Sequence, residues 1–366
     1  MKSFFKRSAI SIIVLGITSS AYAAVSGNNN LWPPHLSGAF IGVEGLNLRP
    51  MNGDIDYVTT FPTNFPSSSN GGFYTRSVSP SYDWAWRVFA GVKFTENDDL
   101  TLSWMSLSTS DHDAISPQGL FNGIGLSVAR WLDGENDWNN INGRVTFDLD
   151  DAYAVWGHSI RFNNPWSVRF AAGLEYAKLD SKLSVTANDT RQGLPNIGFE
   201  SHSNTKGIGP RVEFNMAYQL PYNFALFGKT NAALFYSSRE VSIDPVLVST
   251  TDLDNRTFVF SSTDFPHRHV VIPKFGMRLG ASYSYVWGQA GAEGMPCRTT
   301  TLTVDAGWQV ESYIHAIERP NDGFFSETNP PRLLQQSVSA DFATTKTSNF
   351  SDQGLFIGIS LGTDWV

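Results

Sequence analysis

One cysteine, Cys297, occurs in the whole chain of 366 residues. That scarcity excludes a disulfide framework and a zinc site built from cysteines. Charge is also thin: Asp, Glu, Lys and Arg together make up 16% of the residues, and 26 cations are outnumbered by 34 acids. An acidic balance of this kind argues against nucleic acid as a partner. Long apolar runs are missing as well. Past the first residues nothing approaches the roughly 18 consecutive apolar residues of a membrane helix, so a helical membrane protein is excluded. No glycine-rich phosphate loop, nucleophile elbow or metal-hydrolase helix motif occurs, and no cofactor or metal is expected. What is plentiful is aromatic residues, 13%, with 31 glycines and 18 prolines.

The chain opens with an export signal. Lys2, Lys6 and Arg7 precede the short apolar stretch Ala9 to Ile17, and Ala21-Tyr22-Ala23 forms a small-residue cleavage site. Residues 1–23 are therefore expected to be a signal peptide and 24–366 the mature domain.

Beyond Ala24 the dominant signal is alternation with a period of two, the mark of strands. From Trp166 to Tyr176, Trp166, Val168, Phe170, Ala172, Leu174 and Tyr176 oppose Ser167, Arg169, Ala171, Gly173 and Glu175. Segments 82–94, 141–149, 207–218, 274–283, 302–311 and 355–365 repeat the pattern, and three weaker ones lie at about 38–48, 99–108 and 222–237. The first of these shifts parity, which suggests a bulge. In 222–237, Phe227 and Phe235 share a side with Lys229 and Asn231, so its facing stays open.

Strands of this length exceed those of globular sheets and match tilted membrane strands. Their apolar faces carry no charge except Lys178 and Lys206, both at strand ends. Aromatics gather at both ends, Trp84, Trp86, Trp138 and Tyr176 at one and Trp166, Tyr218, Tyr222 and Trp365 at the other, as in two interfacial girdles. Connections alternate long (about 49–81, 109–137, 180–204, 238–268 and 315–352) and short (Thr95–Asp98, Asn163–Pro165, Leu220–Asn223, and a medium one at about 285–298). Short turns inside and long loops outside are the habit of an outer-membrane barrel. Pro210 and Pro273 fall within expected strands and are read as bulges near the outer rim. The expected fold is all-β: a transmembrane antiparallel up-and-down β-barrel of about ten strands, or twelve if Gly119 to Ala129 adds to it. A secreted β-sandwich is the competing architecture.

Several short stretches in order, Phe40 to Pro50 (FIGVEGLNLRP), Asp148-Leu149-Asp150, Arg169 to Ala177 (RFAAGLEYA), Gly207 to Arg211 (GIGPR) and the final aromatic strand, resemble the major outer membrane protein family of Legionella. The resemblance implies a pore-forming outer-membrane porin. The chain departs from that family in two ways. Its better-known members are disulfide-crosslinked, whereas only Cys297 is present here, and the last residue is Val366 after Trp365.

The polar parity of the strands is the expected pore lining: Arg87, Lys93, Arg144, Asp148, Arg169, Glu175, Arg211, Glu213, Lys274, Arg278, Asp305 and Glu311. Opposed charges of this kind can set ion selectivity in a hydrated channel. They can equally pair into a network that plugs a narrow barrel, since barrels of eight strands are filled by side chains. The expected function is passive diffusion of small hydrophilic solutes or ions, with a plugged structural or adhesive barrel as the alternative and an outer-membrane hydrolase as the lesser one. Expected partners are outer-membrane lipid and lipopolysaccharide, the solutes, and further copies of the chain.

No enzyme is expected. His158 and Ser159 are adjacent in a strand and point to opposite faces. Asp111-His112-Asp113 and Asp150-Asp151 read as solvated loop and turn residues, and His267 with His269 gives only two ligands for a metal. Acids Asp111, Asp113, Asp133, Glu135 and Asp137 against a lone Arg130 make the second loop acidic. Cys297 is expected on the periplasmic side, where it is either free or joined to another chain.

Overall fold

A computed structural model describes residues 38–61, 74–95, 97–116, 123–126, 140–161, 165–188, 197–247, 263–288, 299–328 and 337–364. The expected signal peptide, Trp138, Cys297, Trp365 and the acids Asp133, Glu135 and Asp137 lie outside them.

Ten strands close into a barrel: β1 (Gly38–Asn52), β4 (Asp83–Lys93), β5 (Asp98–Ile115), β7 (Asn140–Arg161), β8 (Trp166–Asn188), β9 (Ile197–Gln219), β10 (Phe224–Leu247), β11 (Thr263–Gly288), β12 (Thr299–Thr328) and β13 (Ser337–Asp364). Neighbours in sequence pair antiparallel all round, and β1 closes the ring by pairing with both β13 and β4. Three short strands, β2 (Asp56–Phe61), β3 (Tyr74–Ser77) and β6 (Gly123–Leu126), form a separate sheet. The stretch that would have raised the count to twelve thus contributes β6 to that small sheet and leaves the barrel at ten.

At the short-turn end, Tyr222 and Asn223 adopt φ of 63° and 64°, closing β9 onto β10 through a bond from Leu220 N–H to Phe224 O of 2.9 Å. Two consecutive left-handed residues match the twist of the flanking strands.

Three of the segments expected as long loops, 180–204, 238–268 and 315–352, are more than half strand. β8 runs on to Asn188 and β9 begins at Ile197, so most of 180–204 is ladder. β5, β7, β10, β11, β12 and β13 likewise continue far past the length needed to cross a bilayer. Neither β1 nor the two prolines bring a bulge: Gly38–Asn52 pairs without interruption, and the ladders through Pro210 and Pro273 keep their register. Register does shift between Arg239 and Val241 and between Tyr313 and Ile317, in the outer extensions.

The outward aromatics mark the membrane. Trp166 packs on Tyr218 (4.7 Å between rings), Phe224 on Tyr283 (5.0 Å) and Phe94 on Trp156 (5.7 Å) near the short turns. Trp84, Trp86, Tyr176 and Tyr236 stand toward the other rim, with Trp86 edge-on to Trp104. About ten residues separate Trp166 from Tyr176, which at ~3.3 Å per residue and ~40° tilt gives an apolar band roughly 25 Å tall. Between the girdles, Phe170, Leu174, Ile208, Val212, Leu226, Val271, Phe275, Leu279, Leu355 and Ile357 are exposed on the outer face, as the lipid-facing wall of a barrel requires.

Above the band the polarity turns inside out. On β7 the parity Ile141, Val145, Phe147 and Leu149 is buried, while Arg144 and Asp148 are exposed. Phe147 lies 5.3 Å from Phe350 of β13, a strand on the other side of the ring, so this face looks into the barrel. Leu46, Leu48, Met105, Leu107, Leu179, Leu183, Val185, Phe199 and Phe235 join it in one apolar core. The small sheet caps this core with Tyr57 and Val58, and its flanking residues Ile55 and Val78 join them. A Cβ on Gly143 would come within 2.5 Å of the Tyr57 ring, so only glycine lets the cap seat this closely.

Candidate functional site

The inner face through the membrane is the place to look for function. Arg87, Lys93, Arg169, Glu175, Arg211, Glu213, Lys274, Arg278, Asp305 and Glu311 all lie on it. Arg144 and Asp148 do not. They are exposed on the outer face of β7, because above the membrane the apolar parity turns inward and the polar parity meets water.

The inward charges pair across the lumen. Lys274 of β11, fully buried, reaches Asp151 on β7, Glu175 on β8 (2.7 Å) and Glu311 on β12 (2.8 Å). Asp151 also accepts a bond of 2.7 Å from the Tyr313 hydroxyl of β12, five strands away around the ring. Arg211 joins Glu175 (2.8 Å) and Glu213 (2.7 Å). Glu44 on β1 takes Arg87 of β4 (3.0 Å) and Arg278 of β11 (2.9 Å), and Arg87 also touches Gln309 of β12 (3.3 Å). Nearer the short turns, Arg169 forks onto Asp99 at 2.8 and 2.5 Å. Parallel bonds from one guanidinium to one carboxylate fix both side chains.

This arrangement connects opposite walls and leaves little space. The cavity lined by Arg87, Tyr153, Arg169, Arg211, Lys229 and Arg278 holds about 40 Å³, enough for roughly three water molecules. Above the ion pairs sits the apolar core, and above that the cap. Tyr57 donates to Asp113 (3.0 Å), and Arg76 reaches the same carboxylate at 2.7 and 3.2 Å, tying the small sheet to β5. Burial opposes the charge on Asp113, but Arg76 and Tyr57 outweigh it and hold the carboxyl below its ordinary range. Deeper in the same region Arg319 donates to Ser181 (2.6 Å), and burial pulls its guanidinium down to about 10.

Asp151, Asp99, Tyr313 and Gln309 were not among the expected lining residues. The signal for Asp151 was present: it continues the parity of Ile141, Val145, Phe147 and Leu149, all inward. Reading that apolar parity as lipid-facing hid it. The facing of β10 is settled too, since Phe227, Ala233 and Phe235 are buried in the apolar core and share their parity with Lys229 and Asn231.

Other candidates have structural partners. His158 is exposed and pairs with Asp98 (2.8 Å), while Ser159 is buried on the opposite face. Asp111 accepts from Ser81 (2.6 Å). His267 lies 3.3 Å from Glu240, and His269 stacks on Tyr236 (5.3 Å).

Among solved structures, the chain is similar in fold to the outer membrane protease OmpT of Escherichia coli, at 8% identity over 89% of this chain and 96% of that one, with a TM-score of 0.36. It is also similar to the toluene transporter TodX of Pseudomonas putida (7% identity, 95% of each chain, TM-score 0.28) and to CarO of Acinetobacter baumannii (14% identity, 60% of this chain and 83% of that one, TM-score 0.24). No curated protein matches it in sequence. The family described as Legionella pneumophila major outer membrane protein precursor matches residues 33–363. The closed ten-strand ring, its lipid-facing apolar band and that match over most of the chain lead to one assignment: this chain is an integral outer-membrane β-barrel that belongs to the Legionella major outer membrane protein family.

Proposed function

We propose that this chain is a structural outer-membrane barrel whose lumen is closed, and that it works through the wall and the collar it raises above the membrane rather than through solute flow. The observation that carries the reading is the anchoring of Asp151 by Lys274 and Tyr313 from the far wall, with the apolar core stacked directly above. Conduction needs a continuous file of water, whereas the cavity among these charges has room for about three molecules. Opening the path would separate buried ion pairs, and an uncompensated buried charge costs about 3–5 kcal/mol. No catalytic chemistry belongs to this reading.

A passive porin for small hydrophilic solutes or ions is the second reading. It is supported by the family resemblance and by the many charged side chains that the inner face carries within the membrane span, interspersed there with Phe40, Phe89, Phe227 and Phe356. With acids and bases nearly balanced along that face, such a pore would show at most mild cation preference, weakening as salt shortens the Debye length.

Planar-bilayer recording with the refolded chain separates the two. Stable insertion without conductance steps supports the closed barrel. Reproducible steps carried by the single species would overturn it in favour of the porin.

A further inference from the structure

Just beyond the outer aromatic girdle, Lys178 of β8 and Lys206 of β9 stand directly opposite each other in the ladder, both on the outer face. They are the first charges met on the outward parity of their strands going up from the lipid band. Like charges at directly opposed positions repel. Neighbouring acids relieve this in part. Asp150 faces Lys178 from β7 without forming an ion pair, and Lys206 reaches Glu240 only at 3.8 Å, with both side chains nearly half exposed.

Two acids one step further out act on the pair but are shared with other partners. Asp180 is bonded by His202 (2.6 Å) and Asn204 (3.3 Å), and Glu240 is shared with His267. Continuing across the same row, Lys206 pairs with Ser238 and Ser238 with His269, so hydroxyl and imidazole extend the polar row. Immediately below it the outward residues are Tyr176, Ile208 and Tyr236, which belong to the lipid band. The lysine pair therefore sits at the height where the acyl chains end and headgroups begin.

We infer that Lys178 and Lys206 form a binding site for a phosphate group of an outer-leaflet lipid, whose acyl chains lie along Tyr176, Ile208 and Val212 beneath. An anion placed between the two ammonium groups satisfies both, and the apolar wall below holds the chains that bring it there. A basic side chain near an anionic membrane surface contributes about fivefold in affinity, and two contribute roughly 25-fold. The site is on the outer wall and does not depend on whether the lumen conducts.

The test uses the full mature barrel, refolded in neutral detergent and titrated with a bisphosphorylated glucosamine lipid, with retention counted by native mass spectrometry. Expected is retention by the wild type, roughly 25-fold weaker retention by the Lys178→Gln/Lys206→Gln double variant, and weak retention of the dephosphorylated lipid. Lys182→Gln, whose lysine is paired with Glu200 higher on the same face, should retain lipid like the wild type. Heat-modified migration on gels verifies that each variant is folded. Equal retention of phosphorylated and dephosphorylated lipid, or equal retention by the double variant, would overturn the inference. So would competition by inorganic phosphate at the same concentration as the lipid, because the site would then recognise a free anion rather than a lipid.

Discussion

Strand β8 passes through two different solvents. Along its first half Phe170 and Leu174 point outward into lipid while Arg169 and Glu175 point inward to ion pairs. Along its second half Lys178, Asp180 and Lys182 point outward into water while Leu179, Leu183 and Val185 point inward to an apolar core. The backbone parity never changes; only the environment on each side does. In the membrane the barrel is the reverse of a soluble protein, and above the membrane it is an ordinary one, with apolar inside and polar outside. A barrel that must stand in both media has to exchange its inner and outer chemistry at the headgroup boundary, and the lysine pair at 178 and 206 marks that boundary.

The largest expected effect breaks the lower half. Lys274→Ala removes the cation shared by Asp151, Glu175 and Glu311, leaving Glu175 to Arg211, Glu311 to Arg87 and Asp151 without an ion pair, and removing one partner of a buried ion network costs about 3–5 kcal/mol. Urea unfolding of the refolded barrel in bilayers measures it. Restoring much of the loss by adding Glu175→Gln would show that charge rather than volume is responsible.

Next comes the outer face, where the same kind of exchange should have opposite consequences in the two halves. Phe170→Arg places a cation against lipid and is expected to cost about 2–4 kcal/mol near the midplane. Arg144→Leu, in the exposed collar, is expected to change stability by less than about 0.5 kcal/mol. Comparable losses for both would mean that β7 above Leu149 is not in water.

How far this division could be read from the chain alone is clear from β7. Alternation from Ile141 to Leu149 announced a strand, and the ring of ten with short inner turns followed from the same periodicity. The solvent on each side did not follow. An apolar parity is equally compatible with lipid outside or a core inside, and the difference lies in where the membrane ends along a strand of 22 residues. Taking apolar as lipid-facing put Arg144 and Asp148 in the lumen and left Asp151 in a turn. The apparent parity shift in β1 has the same origin: Ile41 and Val43 face lipid, Leu46 and Leu48 face the core, and the pairing between them is unbroken. Pairs such as Lys274 with Asp151, 123 residues apart, are set by closure of the ring and carry no local signal.

Smaller effects sharpen the picture of the collar. Asp113→Asn removes the carboxylate that holds both Tyr57 and Arg76, so the cap should loosen and the β2–β3 amides should exchange faster with solvent while the membrane ladder keeps its protection. On the outer face, the bond to Asp180 raises the His202 pKa above its usual value of 6.5 and lowers that of Asp180. The sign follows: the stability contributed by His202 is fully present below pH 6.5 and is lost as pH rises through the higher folded value. Asp180→Asn should bring an NMR titration of His202 back toward 6.5, with little change in overall stability because both groups are substantially exposed.

The sealed, inverted interior is tested most directly by single cysteines at positions 147 and 148 in a Cys297→Ser background, exposed to a membrane-impermeant thiol reagent on intact, folded barrels. Cys at 148, on the outer wall of the collar, should label rapidly, while Cys at 147, one residue away and inside the core, should label only after unfolding. Equal, rapid labelling at both positions would contradict the account, because it would mean that water fills the barrel where the apolar core is placed.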